Sequence, residues 1–360
     1  MGFADGSIKQ KLVNAALLAA SIILSLLALE FGLRVYTGHW GYENLRYPSN
    51  ATYIFHTPVV FDAELGWVPR GDAQTNDKLA GPARTTVTIL KDGIRSNGNG
   101  DVRDASWPIL AVGDSFTFGD EVSDWETWPA QLEELSGIRV INAGVSAYGV
   151  DQAFLRARRL LSRYRFSTVI FSFIPDDIRR SQMSVAWGWS KPYFDLKRGQ
   201  LTLENFPIPP PRKSDLLIAL EHSQVVHSVM KRLAPDWWLG RSVQALDEEK
   251  GVAVVCALFH EIEALTKSLG SQLIILVEYH DHEISFPSTV VEGKVSRTLS
   301  CLSDPATRVL DFKLLLSELK AKDVSRYSGL YIPVPQGWAH MTAAGNRFVA
   351  LEISKFLTQR

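Results

Sequence analysis

The sequence predicts an α/β protein, a three-layer doubly wound parallel sheet preceded by a transmembrane helix. Apolar runs near residues 107–113, 138–142, 168–174, 272–278 and 307–311 read as buried strands. Helical patterns alternate with them near 125–136, 150–163, 250–269, 289–300 and 311–322, and a last helix covers about 342–358. Strands that alternate with helices pair in parallel through right-handed crossovers, which gives the layered sheet.

The amino terminus is different in kind. Leu12 to Leu29 carries no charge and would be about 27 Å long as a helix, close to the hydrocarbon thickness of a bilayer. Lys9 and Lys11 precede this run, so residues 1–36 read as a cytoplasmic N-terminus and anchor. Arg34 on the far side opposes that polarity. A cleaved signal peptide is the alternative, but Leu29-Glu30-Phe31-Gly32-Leu33-Arg34 offers no small-x-small site. In a bacterium the anchor would lie in the inner membrane, with the remaining chain periplasmic or otherwise extracytoplasmic.

Beyond the anchor, residues 37–105 read as a lead-in segment and 106–360 as the α/β domain, with an insertion at about 178–249 that exceeds any ordinary connection. A chain of 360 residues, 46% hydrophobic and 21% charged, buries a sizeable core. Its formal net charge of −1 gives no electrostatic reason to expect nucleic acid. With only Cys256 and Cys301, the fold does not depend on a disulfide framework; the two could pair in an oxidising compartment, but two separate buried thiols are the expectation.

Within the insertion, Pro192 to Leu196 and Leu201 to Leu203 flank a Lys-Arg-Gly-Gln turn and read as a hairpin, and Ser214 could cap a helix running to about Leu233. Trp187, Trp189, Tyr193, Trp237 and Trp238 offer either a sugar-stacking or membrane-facing surface or a small core for the insertion.

The candidate chemistry begins where the run Ile109-Leu110-Ala111-Val112 stops at Gly113-Asp114-Ser115. A serine just past the carboxyl end of a strand sits at the crevice where open α/β sheets bind ligands, so Ser115 is the candidate nucleophile. Three common turn residues also make an ordinary turn. The surrounding residues decide between these: Gly113 to Gly119 resembles the Gly-Asp-Ser-x-Thr-x-Gly block of the SGNH/GDSL hydrolases. Val140 to Gly144, Phe173 to Asp177 and His340 to Asn346 resemble its later blocks in order, while Glu64 to Trp67 and Gly93 to Arg95 resemble the lead-in of membrane-anchored bacterial members. The resemblance covers roughly residues 60 to 358.

That resemblance implies the flavodoxin-like strand order, a serine ester hydrolase without cofactor or metal, and His340 as the general base returning from the loop before the last helix. It implies oxyanion donors at the main-chain N–H of Ser115 and of Gly144, with Gly149 as the alternative if the register differs. Two departures matter. The third block normally presents Asn, and Asp176 stands there; ionised, it would repel an oxyanion, and a missing donor costs on the order of 3–4 kcal/mol. Asp177, which follows, reads as structural.

The family also places Asp two or three residues before its His, where this chain has Trp338 and Gly337. A Ser-His dyad is therefore the first expectation, with a carboxylate from Glu278-Tyr279-His280-Asp281-His282-Glu283 or Asp311 as substitute. His280 and His282 also have a spacing seen among metal ligands, although a polar loop explains them as well. The expected substrate is an O-acylated glycan or lipid-linked saccharide, because the anchor places the site beside envelope polymers. The alternatives are an O-acyltransferase using the same serine and a catalytically inactive envelope-binding or assembly module.

Overall fold

The computed structural model describes residues 3–37, 53–54, 57–77, 85–98, 107–186, 189–210, 216, 220–234, 238, 248–334 and 339–359. Helix α1 (Phe3–Thr37) contains the stretch Lys9–Thr37, long and apolar enough to cross a bilayer and unburied over its most apolar window. Serine hydroxyls along the span are satisfied within the helix at Ser21, whose Oγ donates to Leu17 O (3.2 Å), and at Ser25, whose Oγ donates to Ser21 O (2.8 Å).

The lead-in is antiparallel. Strands β1 (Tyr53–Ile54), β2 (Thr57–Asp62) and β3 (Gly66–Pro69) form one small sheet, and β4 (Ala73–Asp77) pairs with β5 (Thr85–Ile89). Trp67 of β3 is buried; its indole N–H donates to Ser146 O (3.2 Å) and its carbonyl accepts from Tyr148 Oη (2.6 Å). The segment is thereby fixed against the loop that lines the site.

Five parallel strands form the centre: β6 (Ile109–Val112), β7 (Val140–Asn142), β8 (Thr168–Phe173), and two that follow the insertion, Gln272–Val277 and Arg308–Asp311. Every residue of the first three is buried, as expected for strands covered on both faces. Around them lie α2 (Ser115–Phe118), α3 (Trp128–Ser136), α4 (Val150–Leu161) and α5 (Pro175–Arg180).

The insertion contributes β9 (Val185–Ala186), β10 (Trp189–Ser190), the hairpin β11 (Tyr193–Lys197) and β12 (Gln200–Glu204), and α6 (Gln224–Leu233). After it come α7 (Glu248–Leu269), β13 (Gln272–Val277), α8 (Asp281–Ser285), α9 (Thr289–Leu299), β14 (Arg308–Asp311), α10 (Phe312–Lys322), α11 (Val324–Ser328) and α12 (Ala343–Thr358). The central order is β14-β13-β8-β6-β7, all pairs parallel. Read from its first strand this is the flavodoxin-like 2-1-3-4-5 arrangement, with the switch point between β6 and β8.

Local chemistry explains the boundaries. Thr127 caps α3 by accepting from Ala130 N, Asp311 caps α10 by accepting from Lys313 N, and Thr342 caps α12 by accepting from Gly345 N. The hairpin turns at Arg198 and Gly199, both at positive φ (54° and 77°), the geometry that matches strand twist. Lys191 is fully buried, paired with Asp151 and donating to Met183 O (3.0 Å), which ties the insertion to α4.

In this region one expectation changes, one alternative is decided and one reading falls outside the described residues. The helix ending at Leu233 is capped by Ser223, whose hydroxyl accepts from Val226 N (3.2 Å); Ser214 lies outside the described residues. Trp189 and Trp238 are 4% and 1% exposed, so they form core and present no stacking surface; Trp187 and Trp237 lie outside the described residues. Cys256 and Cys301, expected as separate thiols, are joined in a disulfide with Cα atoms 5.3 Å apart. The reason is topological: α7 packs against α9, and the turn after α9 returns Cys301 to the middle of α7.

Candidate active site

The end of β6 delivers Ser115 into the first turn of α2, where it is 4% exposed. Asp114 caps that turn: Oδ1 accepts from Phe116 N (2.9 Å), and Oδ2 lies 3.3 Å from Ser115 Oγ and 3.4 Å from Arg180 Nη1. The Gly-Asp-Ser order is thus a cap followed by the residue it presents. Phe118 N returns to Asp114 O (2.9 Å), closing the turn.

His340 arrives from the loop before α12, and its Nε2 lies 2.9 Å from Ser115 Oγ. The last block is a mount for this histidine. Asn346 Oδ1 accepts from Trp128 N (2.8 Å) while its Nδ2 donates to Thr342 O (3.0 Å), joining α12 to α3. Gly345 packs so closely that a Cβ there would stand 2.2 Å from Leu330 O. Before His340, Trp338 and Gly337 lie outside the described residues.

The carboxylate that sequence reasoning did not find beside His340 is Glu121. Its Oε2 lies 3.2 Å from His340 Nδ1. Glu121 stands at φ 69° in the loop after α2, a conformation that costs a side-chain-bearing residue energy and is seen where geometry is over-determined. The determinant is Arg95, fully buried, whose Nη1 donates to Phe118 O (2.7 Å) and Gly119 O and whose Nη2 donates to Val122 O (2.5 Å), with Nε facing Asp124 (3.3 Å). The Gly-Ile-Arg lead-in therefore grips both ends of the segment that carries Glu121. Six residues separate Ser115 from Glu121, but no helical or strand period marks that spacing.

The substitute carboxylates are engaged elsewhere. Glu278 is buried and accepts from Ser172 Oγ (2.6 Å), Asp281 accepts from Tyr327 Oη (2.8 Å) and Ser285 Oγ (2.6 Å), Glu283 accepts from His280 N (2.9 Å), and Asp311 caps α10. His280 is buried with Nδ1 3.0 Å from Ala339 O and its ring edge-on to Phe116. It braces the residue preceding His340, and among the described residues no group of three or more His, Cys, Asp or Glu side chains is placed to hold a metal ion. His282 stacks on Phe286.

Gly144 serves the site from behind. Its N–H donates to Asn142 Oδ1 (3.2 Å) and a Cβ would fall 2.3 Å from Phe118 N, so it lets β7 approach the nucleophile turn and its amide is already occupied. Gly149 is the N-cap of α4. Among the described residues no acceptor takes the N–H of Ser115 or of Ala147. Ala147 is buried at φ 71°, beside Ser146, whose hydroxyl donates to Asp120 Oδ1 (2.7 Å). An alanine in this conformation leaves no sequence signal, because only glycine advertises positive φ.

Asp176 cannot donate. Its carboxylate is bound by Arg179 (2.7 and 3.0 Å) and by Arg180 Nε (2.9 Å). Burial works against the charge, but Arg180 and Arg179 outweigh it and hold the group well below the usual carboxylate range. Arg180 also binds Asp177 Oδ1 (2.9 Å) and Tyr148 O (3.3 Å), so one guanidinium connects Asp176, Asp177 and Asp114. Asp177 accepts from Ile174 N (3.1 Å), a structural contact.

The electrostatics favour a base at His340. Burial alone would lower its affinity for a proton, but the Glu121 hydrogen bond and the charges of Asp120, Glu121 and Asp114 raise it above the ordinary histidine value. Burial raises Asp120 to about 7 and Glu278 to about 8. His280 is pushed down to about 3 by burial and by the charge of His340, which keeps it neutral. The set can activate a hydroxyl: Ser115 Oγ–H donates to Nε2 while Nδ1–H donates to Glu121.

No family model matches this chain. Among solved structures it is similar to a member of the lipolytic protein G-D-S-L family from Veillonella parvula DSM 2008, at 13% identity and TM-score 0.42 over 71% of this chain and 100% of that one. It is similar also to Axe2, an acetylxylan esterase from Geobacillus stearothermophilus, at 14% identity and TM-score 0.40 over 71% and 96%. By its own strand order the chain has a doubly wound α/β fold of flavodoxin-like order, and the ordered blocks that resemble the SGNH/GDSL hydrolases bring Ser115 and His340 together.

Proposed function

We propose that this chain is a membrane-anchored serine ester hydrolase of the SGNH/GDSL type. The observation that carries the reading is the relay Ser115 Oγ, His340, Glu121, with contacts of 2.9 and 3.2 Å. Ser115 Oγ attacks an ester carbonyl as its proton passes to His340 Nε2, and the imidazolium is held by Glu121. His340 returns the proton to the leaving alcohol, and water, deprotonated by the same nitrogen, releases the acyl group from Ser115. The N–H groups of Ser115 and Ala147 serve as oxyanion donors in place of Gly144 and Asp176.

The anchor is α1, with the catalytic domain on the extracytoplasmic side of a bacterial inner membrane. The Cys256–Cys301 disulfide supports an oxidising location. An O-acylated glycan or lipid-linked saccharide fits an ester hydrolase mounted beside the envelope, and the similar acetylxylan esterase acts on such an ester.

A fluorophosphonate probe on the full chain tests the reading. Labelling of Ser115 that is lost in S115A and H340A, with acetate released from acetylated oligosaccharides, is expected. The ionised Asp176 favours one other reading, an inactive envelope-binding module; a folded chain that neither labels nor hydrolyses would establish that reading instead. Acyl transfer to an oligosaccharide hydroxyl without hydrolysis would make it an acyltransferase.

A further inference from the structure

Near its carboxyl end, helix α1 meets the start of α6 through the Glu30 carboxylate, which Arg34 pairs within α1. The Glu30 carboxylate accepts from Ser223 Oγ (2.9 Å), Gln224 N (2.9 Å) and Val225 N (3.0 Å), which satisfies the first turn of α6. Arg34 Nε closes on Glu30 Oε1 (2.7 Å) and its Nη2 donates to His222 O (2.5 Å). A Glu and an Arg at the end of an apolar helix are expensive near lipid unless paired. Here both are paired, with a segment about 190 residues away in sequence.

The rest of α6 is amphipathic, half-buried at its start and exposed at its carboxyl end. Val225, Val229 and Leu233 recur at intervals of four and share one face, and Val229 and Leu233 are 47% and 76% exposed. Arg232 is exposed flanking this face and Lys231 is exposed on the opposite side of the same turn, and just upstream Leu216 and Leu220 continue the apolar exposure. Glu30 stands about two turns before Thr37, the last residue of α1, so the start of α6 is held at the level where the span leaves the hydrocarbon.

We propose that α6 is an interfacial helix that lies in the headgroup layer beside α1, with Val229 and Leu233 in the acyl boundary and Lys231 and Arg232 on anionic headgroups. The occupant is the lipid surface because the span itself delivers the helix to it and the exposed cations complement it. The domain is then fixed to the membrane at two points, which restricts the site to substrates near the bilayer. This inference rests on reading α1 as a membrane span.

The test uses the full chain, with its disulfide kept, in nanodiscs of phosphatidylcholine and phosphatidylglycerol with or without acyl-brominated lipid. An environment-sensitive fluorophore is placed at V229C or L233C, at L18C in the span, and at L351C on α12. Quenching of V229C and L233C at least half as strong as that of L18C, with L351C unquenched, is expected. E30Q and K231E/R232E should each reduce the V229C signal at least twofold while leaving L18C unchanged. V229C as unquenched as L351C, with L18C quenched, overturns the inference but leaves the anchor intact. Crosslinking of V229C between copies, without quenching, puts the face in a dimer interface and also overturns it. If L18C is unquenched, the anchor reading fails and this inference falls with it.

Discussion

Glu121 Oε2 lies 3.2 Å from His340 Nδ1 although 219 residues separate them, while Ser115, the histidine's other partner, is six residues from Glu121. The proposed acid thus travels with the proposed nucleophile, on the segment that Arg95 clamps. E121Q should lower kcat/KM for a soluble acetyl ester by about 10²–10⁴-fold, by analogy with removal of the acid from a serine triad. The acidic limb of the pH profile should also move. Glu121 helps raise His340, and the base works only when deprotonated, so E121Q shifts that limb to lower pH. An unmoved limb would show that Glu121 is not coupled to the base.

Asp176 is held ionised by Arg179 and Arg180 at the position where the resemblance expects an amide. D176N removes a negative charge, and introduces a donor, at the position where the resemblance expects an oxyanion donor. The rate on the same ester should rise about tenfold or more, within the range of one added oxyanion donor. Stopped kinetics at fixed pH read this directly, and a fall in kcat would show that the Arg180 network matters more than the charge.

Arg95 is buried with four polar partners on the loop from Phe118 to Asp124. R95M removes the guanidinium donor from Phe118 O, Gly119 O, Val122 O and Asp124 and should cost about 3–5 kcal/mol in denaturant unfolding, as for breaking a buried charge network. Glu121 loses its mount in this variant, so activity should fall further than stability alone explains.

Glu278 is buried beneath the nucleophile turn and raised to about 8 by burial. Because its folded value lies above the ordinary 4.5, its contribution is full below about pH 4.5 and is lost as pH climbs through about 8. E278Q, which cannot ionise, should therefore flatten the alkaline fall in Tm between pH 6 and pH 9. An equal fall in both proteins would place the alkaline instability elsewhere.

The Cys256–Cys301 crosslink closes a 45-residue separation. C256S/C301S should lose about 3–4 kcal/mol by the chain-entropy relation while keeping kcat, since the bridge joins α7 to the turn after α9 and touches none of the relay.

The five central strands and the helices between them were legible because each centres on a short apolar run or an apolar helical repeat; observed boundaries such as Thr168–Phe173 and Ala343–Thr358 fall within two residues of the sequence reading. Ser115 and His340 were legible because each stands inside a block with its own mount. Glu121 was not, since its place depends on Arg95 bending an irregular loop through a positive φ. The disulfide was missed for a related reason: pairing depends on how α9 returns to α7, and each cysteine viewed alone resembles a small core residue.

The placement of Glu121 has a consequence for how the molecule comes alive. Two members of the relay belong to one short segment, the turn of α2 and the loop after it, and they are assembled as soon as β6 and the Arg95 clamp form. The third arrives only when α12 docks on α3 through Asn346 and Trp128. Turnover is therefore a clock for the final docking step: in refolding, esterase activity should appear with the seating of the carboxyl-terminal helix and lag behind the sheet that holds the nucleophile.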